Sequence, residues 1–279
     1  MKNIIIIVSD ALRCKNLSLF GYNKETDKNL KKISNESILF KQHFSTANFT
    51  FPSLVSLFTS RYPNNHGLMH QFPFTTPEET QKFKENKFWF PSYLKQKGYS
   101  TIGVGWSGPW LKRGFDYYKE REIDEKNLKI KTFLRSRFMK KILLSLPEWF
   151  YKLGKKIIKI RASSACPPAN EMVDLAISKI NNTKNPFFLF MHFESTHFPF
   201  VINNKIKASG KNELKKILRS IKSKSQQEYV KKRFSDASLY SMKDIVNKYD
   251  LSIKEVDEQI NRFVNFLKEK NLWEDIILV

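Results

Sequence analysis

The chain has 279 residues, with 49 Lys and Arg against 27 Asp and Glu and a formal net charge of +22. This length can bury a sizeable core, so we expect one α/β domain over residues 1–279. Two cysteines give no disulfide framework and favour a reducing compartment. Because no apolar run is long enough to span a bilayer and no signal peptide precedes the first strand, we predict a cytoplasmic location, or a peripheral one at the inner membrane face.

The chain opens with a run of isoleucines and a valine, residues 4–8, which is typical of a strand buried on both faces of a parallel sheet. Asp10 falls at the carboxyl end of that strand, and open α/β sheets bind ligands at this edge. The Asp10 carboxylate could therefore hold a metal or a substrate. It could equally cap a helix or pair with Arg13, and these alternatives stay open on the residues alone.

The stretch 46–67 holds a second candidate, Thr50, two residues before Pro52. Residues 53–58 can form a helix, and Pro52 suits the first helical position because its φ is already helical. Thr50 would then lie at the helix N-terminus, where free N–H groups and the helix dipole favour an anion. A phosphate or sulfate could be presented to its hydroxyl there. The alternative is an ordinary threonine N-cap.

The remaining pattern alternates between helix and strand, which predicts a mostly parallel central sheet flanked by helices. His197 follows the carboxyl end of a predicted strand and could converge with Asp10 and Thr50 on one sheet edge. Trp106 lies at the same edge and could contact substrate or simply pack. The predicted elements are helices over 29–40, 90–97, 170–180 and 245–268, strands over 99–104, 187–193 and 276–279, and a surface loop over 71–90.

Two stretches, 120–165 and 202–235, are predicted to be basic helical insertions. Within them, residues 126–161 contribute +11 and residues 205–233 contribute +9 of the formal charge. Basic amphipathic helices with interleaved aromatic residues suit an anionic membrane surface. A solvated helical hairpin explains the same pattern, whereas no nucleic-acid motif accompanies the charge, so nucleic acid is an unlikely partner.

Several of these stretches, in their order and spacing, resemble the sulfatase family of the alkaline phosphatase superfamily. The matching pieces span both ends of the chain: IIIIVSDALR, Gly21-Tyr22, NLKKISNESILFKQHFSTANFTFPSLVSLFTSRYPNNHG, PSYLKQKGYSTIGVG, FFLFMHFESTHFPF and YDLSIKEVDEQINRFVNFLKEKNLWEDIILV. The resemblance implies a sheet-based hydrolase that uses a divalent metal ion to cleave sulfate or phosphate esters, on a polysaccharide or a lipid.

Site residues follow from the same resemblance. Asp10 matches the first metal-binding aspartate, and Thr50 matches the nucleophile, which is also a metal ligand. His197 looks like the histidine that reaches the ester and could protonate the leaving group. Together with His197, Arg61 and Trp106 are candidate substrate-binding residues. The metal would be calcium or magnesium in a sulfatase-like enzyme and manganese or zinc in a transferase-like one.

The sequence departs from the sulfatase pattern at several positions. Thr50 stands where sulfatases carry the Cys or Ser that matures to formylglycine, and threonine cannot form that aldehyde. Leu54 replaces an arginine, Ala11 replaces a frequent second aspartate, and no Lys-Trp-His stretch follows the 99–104 strand. Threonine nucleophiles resemble those of phosphodiesterases and of phosphoethanolamine and phosphoglycerol transferases, which is the alternative function.

The resemblance also implies further metal ligands in a Ser-Asp-His-Gly-like motif directly after NLWEDIILV. The sequence stops at Val279, so we expect a domain that is incomplete at its C-terminus. Oxygen-bound divalent ions normally need more ligands than Asp10 and Thr50 supply. A third hypothesis is therefore a catalytically inactive module that binds anionic surfaces.

Overall fold

The computed structural model describes residues 1–71, 74–106, 110–120, 167–183, 186–198, 200 and 241–279, and the single positions 219, 221, 223, 224 and 227. Apart from residue 120 and those single positions, the two basic insertions predicted at 120–165 and 202–235 lie outside the described residues.

Within the described residues, a parallel sheet forms the centre of the molecule. Its strands are β1 (Asn3–Ser9), β2 (Ser100–Gly105), β3 (Tyr117–Lys119), β4 (Phe187–Phe193) and β5 (Ile276–Leu278). They lie side by side in the order β3-β2-β4-β1-β5. β1 pairs with β4 on one side and with β5 on the other. The predicted α/β class with a parallel sheet is confirmed.

Helices cover both faces of this sheet. They are α1 (Lys28–Ser34), α2 (Thr50–Thr59), α3 (Pro63–His66), α4 (Pro77–Lys84), α5 (Phe90–Gln96), α6 (Ala169–Asn181) and α7 (Met242–Glu269), with 3-10 turns at Cys14–Asn16, Ser18–Phe20 and Trp273–Asp275. None of the helices in the described ranges has the length and apolar character required to cross a membrane.

Strand β4 separates two hydrophobic cores, because successive side chains of a strand point to opposite faces. Leu189 and Met191 belong to the core shared with α6 and α7. Phe188 and Phe190 belong to the core shared with α2, α5 and the end of α4. All seven β4 residues are buried, as expected for a central strand of a parallel sheet.

Three local predictions were wrong. The helix predicted over 29–40 ends at Ser34. The surface loop predicted over 71–90 contains α4, which starts at a capping box in which Glu79 N donates to Thr76 Oγ1 and Thr76 N donates to the Glu79 carboxylate. Helix α2 begins at Thr50 with Phe49 as its N-cap, so Pro52 is its third residue rather than its first, which the first turn of a helix also tolerates.

Candidate active site

The carboxyl end of β1 and the N-terminus of α2 meet at Asp10 and Thr50. The Asp10 backbone N–H donates to Phe193 O at 2.8 Å, which continues the pairing of β1 with β4. Strand alternation directs Asp10 to the same face as Ile6, and that face packs against α2. Thr50 Oγ1 lies 3.1 Å from Asp10 Oδ2 and 3.3 Å from Asp10 Oδ1. The Thr50 hydroxyl therefore donates to a carboxylate, and it does not cap its own helix.

Two hydroxyls behind Asp10 fix its backbone. Thr196 Oγ1 donates to Asp10 O at 2.6 Å, and Thr196 is buried. Because the single hydroxyl hydrogen of Thr196 is used in this bond, the Ser9 hydroxyl must donate to Thr196 Oγ1, at 2.8 Å. This chain of bonds ties the end of β1 to the turn after β4, so that the Asp10 main chain is held from two sides.

His192, a residue of β4, lies beside the carboxylate. Its Nε2 is 3.8 Å from Asp10 Oδ2, and its side chain is fully buried. Burial lowers the pKa of His192 below its ordinary value, and the nearby His197 adds to this effect, while the Asp10 carboxylate acts in the opposite direction. Because burial outweighs the attraction of the Asp10 carboxylate, the imidazole of His192 is neutral. His192 was not among the site residues predicted from the sequence.

His197 lies in the turn that follows β4. Its Nδ1 is 2.7 Å from Phe198 O. A carbonyl oxygen can only accept, so Nδ1 carries a hydrogen and donates it. The second nitrogen, Nε2, is therefore the one that can exchange a proton with a ligand, and it can donate only in the imidazolium form.

A large open cavity of about 1290 Å³ joins these groups. Asp10, Thr50, His192 and His197 all line it. Sequence reasoning also missed Gln71, another lining residue, whose Oε1 accepts from the Phe51 N–H at 2.8 Å. Gln71 thereby satisfies one of the N–H groups that the first turn of α2 leaves without a helical partner.

The two other predicted substrate-binding residues are placed outside this cavity. Arg61 is exposed beyond the C-terminal end of α2, where its guanidinium donates to Asn86 Oδ1 at 3.3 Å. Trp106 follows β2 and packs edge-on against Phe51, with ring centroids 6.1 Å apart. The structure brings Asp10, Thr50 and His197 together in the cavity and leaves Arg61 apart from them. The Trp106 ring does not line the cavity but lies 6.5 Å from the ring of His192, centroid to centroid.

Asp10 and Thr50 fit part of a divalent metal site. Their carboxylate and hydroxyl oxygens are the hard donors that Ca²⁺ and Mg²⁺ prefer, and their separation of 3.1 Å suits two ligands of one ion. Across the described ranges, no group of three or more His, Cys, Asp or Glu side chains is arranged to hold a metal. Asp10 and Thr50 alone are fewer donors than an oxygen-bound divalent ion normally takes.

Residues 2–279 match the sulfatase family. The chain belongs to this family. A segment of 107 residues is 27% identical to arylsulfatase H of Homo sapiens, over 37% of this chain and 19% of that protein. Another comparison gives 28% identity over 117 residues to an N-acetylglucosamine-6-O-sulfatase of Bacteroides thetaiotaomicron, over 42% of this chain and 20% of that protein.

The sulfatase-family fold is also similar to solved structures. The phosphonate monoester hydrolase of Agrobacterium radiobacter superposes with a TM-score of 0.62 at 17% identity, over 100% of this chain and 61% of that one. At this identity the likeness concerns the fold alone. The matched segments span about a fifth of the two curated sulfatases, 19% and 20%.

Proposed function

We propose that this sulfatase-family protein catalyses the metal-dependent hydrolysis of a sulfate ester, or of a phosphate ester, with Thr50 as its nucleophile. The observation that carries the proposal is the hydrogen bond from Thr50 Oγ1 to the Asp10 carboxylate, at 3.1 Å, inside the cavity at the carboxyl edge of the sheet. Nucleophilic hydroxyls are activated by such an adjacent acceptor or by metal coordination. Membership of the sulfatase family supports the ester chemistry.

The first step is attack by Thr50 Oγ on the sulfur or phosphorus atom. Asp10 accepts the hydroxyl proton as the new O–S or O–P bond forms and the bond to the alcohol oxygen breaks. A bound divalent ion would neutralise charge on the ester oxygens, and Asp10 and Thr50 would be among its ligands. The helical N–H groups and the dipole of α2 favour the anionic group at Thr50.

His197 completes this step as the proton donor. Its Nδ1 is held by Phe198 O, so the imidazolium Nε2–H delivers a proton to the departing alcohol oxygen. Water then attacks the sulfur or phosphorus atom of the sulfo- or phospho-threonine and gives a proton to His197. The bond to Thr50 Oγ breaks, and Asp10 returns its proton to this oxygen, which restores the Thr50 hydroxyl. No formylglycine is involved, since threonine cannot form it.

The alternative is phosphoryl chemistry, either in a phosphodiesterase or in a phosphoethanolamine- or phosphoglycerol-type transferase. A threonine hydroxyl in place of an oxidisable Cys or Ser favours it. Calcium or magnesium is the proposed ion for the sulfatase-like reaction, and manganese or zinc for the transferase-like one. Contact with an anionic membrane stays a prediction, which rests on the basic stretches. The cytoplasmic location also stays a prediction.

Turnover of 4-nitrophenyl sulfate, 4-nitrophenyl phosphate and bis(4-nitrophenyl) phosphate, each with Ca²⁺, Mg²⁺, Mn²⁺ or Zn²⁺, tests the proposal. Thr50→Ala should reduce turnover to background, whereas Thr50→Ser keeps a hydroxyl and should retain measurable activity. Mass spectrometry of the quenched reaction should find the sulfo or phospho group on the peptide that contains Thr50. Unchanged turnover by Thr50→Ala would overturn the nucleophile assignment. Absence of turnover with every metal would favour the third hypothesis, an inactive module that binds anionic surfaces.

A further inference from the structure

One wall of the cavity is formed by the first two turns of α7. The residues that line it are Met242, Ile245, Val246 and Tyr249. The last three follow Met242 by three, four and seven residues, which puts all four on one helix face. Further along α7 the same inner stripe, which includes Val256 and Ile260, packs into the main core. The N-terminal end of this apolar face is therefore directed at the cavity.

Four residues that line the cavity expose apolar side chains to solvent, two of them on the α7 wall. Met242 is 43% exposed and Val246 is 39% exposed, while Phe49 and Phe74, which also line the cavity, are 47% and 76% exposed. Single exposed apolar residues are common on protein surfaces. Four of them around one cavity form an apolar patch, and such patches typically mark binding sites.

The groups of the proposed reaction, Asp10, Thr50 and His197, line the same cavity. On the α7 wall the lining residues offer one side-chain hydroxyl, that of Tyr249. It donates to Ala11 O and accepts from the Arg13 N–H, both at 2.8 Å. A sugar ring placed along this wall would lose water from its hydroxyls without gaining comparable hydrogen bonds, which is unfavourable.

We propose, on the basis of the proposed function, that the alcohol part of the ester is an alkyl or aryl group rather than a sugar. The anionic ester group lies at Asp10, Thr50 and His197, and the apolar part extends along the α7 wall between Val246 and Phe49. The cavity, at about 1290 Å³, is far larger than a sulfate group and has room for both parts. The substrate class is thus an amphiphilic sulfate or phosphate monoester.

Calorimetric titration of the chain with methyl, butyl and octyl sulfate, below the micelle concentration of each and with Mg²⁺ or Ca²⁺ present, tests this assignment. We expect affinity to rise with chain length, by up to about fourfold for each methylene that becomes fully buried. Octyl sulfate should also bind more tightly than glucosamine 6-sulfate. Equal affinities for methyl and octyl sulfate, or tighter binding of the sugar sulfate, would overturn the proposal.

Val246→Asn should reduce the ratio of octyl to methyl sulfate affinity. Leu57→Asn is the matched control, because Leu57 is also on a helix, is 38% exposed and does not line the cavity. Met242→Gln provides a second variant at an exposed wall position, should Val246→Asn fold poorly. Equal effects of Val246→Asn and Leu57→Asn would contradict the assignment. A concentration-dependent dimer that Val246→Asn disrupts, with no dependence on alkyl chain length, would assign the wall to a second copy and also overturn it.

Failure of this inference can be told apart from failure of the proposed function. Thr50→Ala should lose turnover of every ester yet keep the preference for octyl over methyl sulfate in binding. If the wild-type chain turns over no ester but still prefers octyl over methyl sulfate in binding, the result would support the apolar wall and count against the proposed enzyme activity. If turnover is the same for esters of short and long alcohols, the result would support the proposed hydrolysis and count against binding of the alcohol group to the α7 wall.

Discussion

The hydroxyl of Thr50 donates to the carboxylate of Asp10, with Oγ1 3.1 Å from Oδ2, although the two residues are 40 positions apart in the sequence. The first residue of a helix and the first residue after a strand are thereby joined at the sheet edge. Because Asp10 is fixed through its own backbone to Phe193 and Thr196, it is the better anchored of the two. We therefore expect changes at Asp10 to affect the reaction directly, through the acceptor that it provides.

Asp10→Asn removes the proton acceptor and one charged metal ligand while keeping the side-chain shape. We expect turnover to fall by about 10²–10⁴-fold, the usual contribution of a general base. Steady-state kinetics on the best 4-nitrophenyl ester would measure the loss. Asp174→Asn is the control, because Asp174 is an exposed aspartate on α6 whose ion pair with Arg262 lies away from the cavity. Equal rates for the two variants would count against a catalytic role for Asp10.

Thr196→Val should destabilise the fold and lower activity together. The variant keeps the shape of the side chain but leaves the Asp10 carbonyl without its donor and the Ser9 hydroxyl without its acceptor. An unsatisfied buried polar group costs about 1–3 kcal/mol, which urea denaturation can resolve. Thr196→Ser retains the hydroxyl and should lie closer to wild type. A Thr196→Val protein with unchanged unfolding free energy would contradict the bonding chain.

The free energy of unfolding should decrease as the pH falls from 7 to 5, in part because of His66. Leu68 N–H donates to its Nδ1 and Ser56 Oγ lies 3.0 Å from its Nε2, so the buried ring is neutral. Burial lowers the pKa of His66 from its ordinary value near 6.5. Below that value the unfolded chain binds a proton that the folded chain does not, so stability falls as pH falls.

The size of this pH effect can be bounded and tested. One histidine contributes a slope of at most about 1.4 kcal/mol per pH unit. Urea denaturation at several pH values should show a shallower slope for His66→Gln than for wild type. His43→Gln is the control, since His43 is exposed. Parallel slopes for wild type and His66→Gln would show that His66 is protonated in the folded state.

Gly105→Ala should be more destabilising than Gly98→Ala. Both glycines have positive φ, +128° and +86°, so both substitutions meet the backbone strain of an L residue there. A Cβ on Gly105 would also lie 2.5 Å from His192 O, whereas nothing lies within 4 Å of one on Gly98. Thermal melting of the two variants separates the steric contact from the strain. A Gly98→Ala variant that melts at or below the temperature of Gly105→Ala would contradict the close approach at His192.

The sequence predicted those features that depend on local pattern. The strand over 187–193 was predicted with the bounds that the structure has, because a continuous apolar run flanked by a proline is typical of a buried strand. His192 was missed because it was taken as part of that run. Its alternation with Phe188 and Phe190 puts it on the α2 face, where Asp10 also points, and this signal was available from the sequence.

Other features depend on contacts between distant residues and could not be predicted from local pattern. Gln71 reaches the first turn of α2 from 20 positions away. The N-terminus of helix α1 is capped by Asp257 of α7. Its carboxylate accepts from the Asn29 and Leu30 N–H groups at 3.0 and 2.7 Å. The motifs predicted that Thr50 and Asp10 would meet at one sheet edge, but not the hydrogen bond between them. The contacts of Gln71 and Asp257 follow from no motif in the chain, because each requires the finished fold to bring the partners together.

The position of β1 in the sheet has a consequence for synthesis. Both of its neighbours come later in the chain, with Ile4 paired to Phe188 and to Ile277. At ribosomal rates of about 5–20 residues per second, this strand of isoleucines emerges roughly 10–40 s before its first partner exists. Throughout that interval its backbone and apolar side chains have no sheet to join. Of the strands β1 and β4, β1 thus waits for its partner in the nascent chain, so a chaperone that holds this segment would act on the strand that is followed by Asp10.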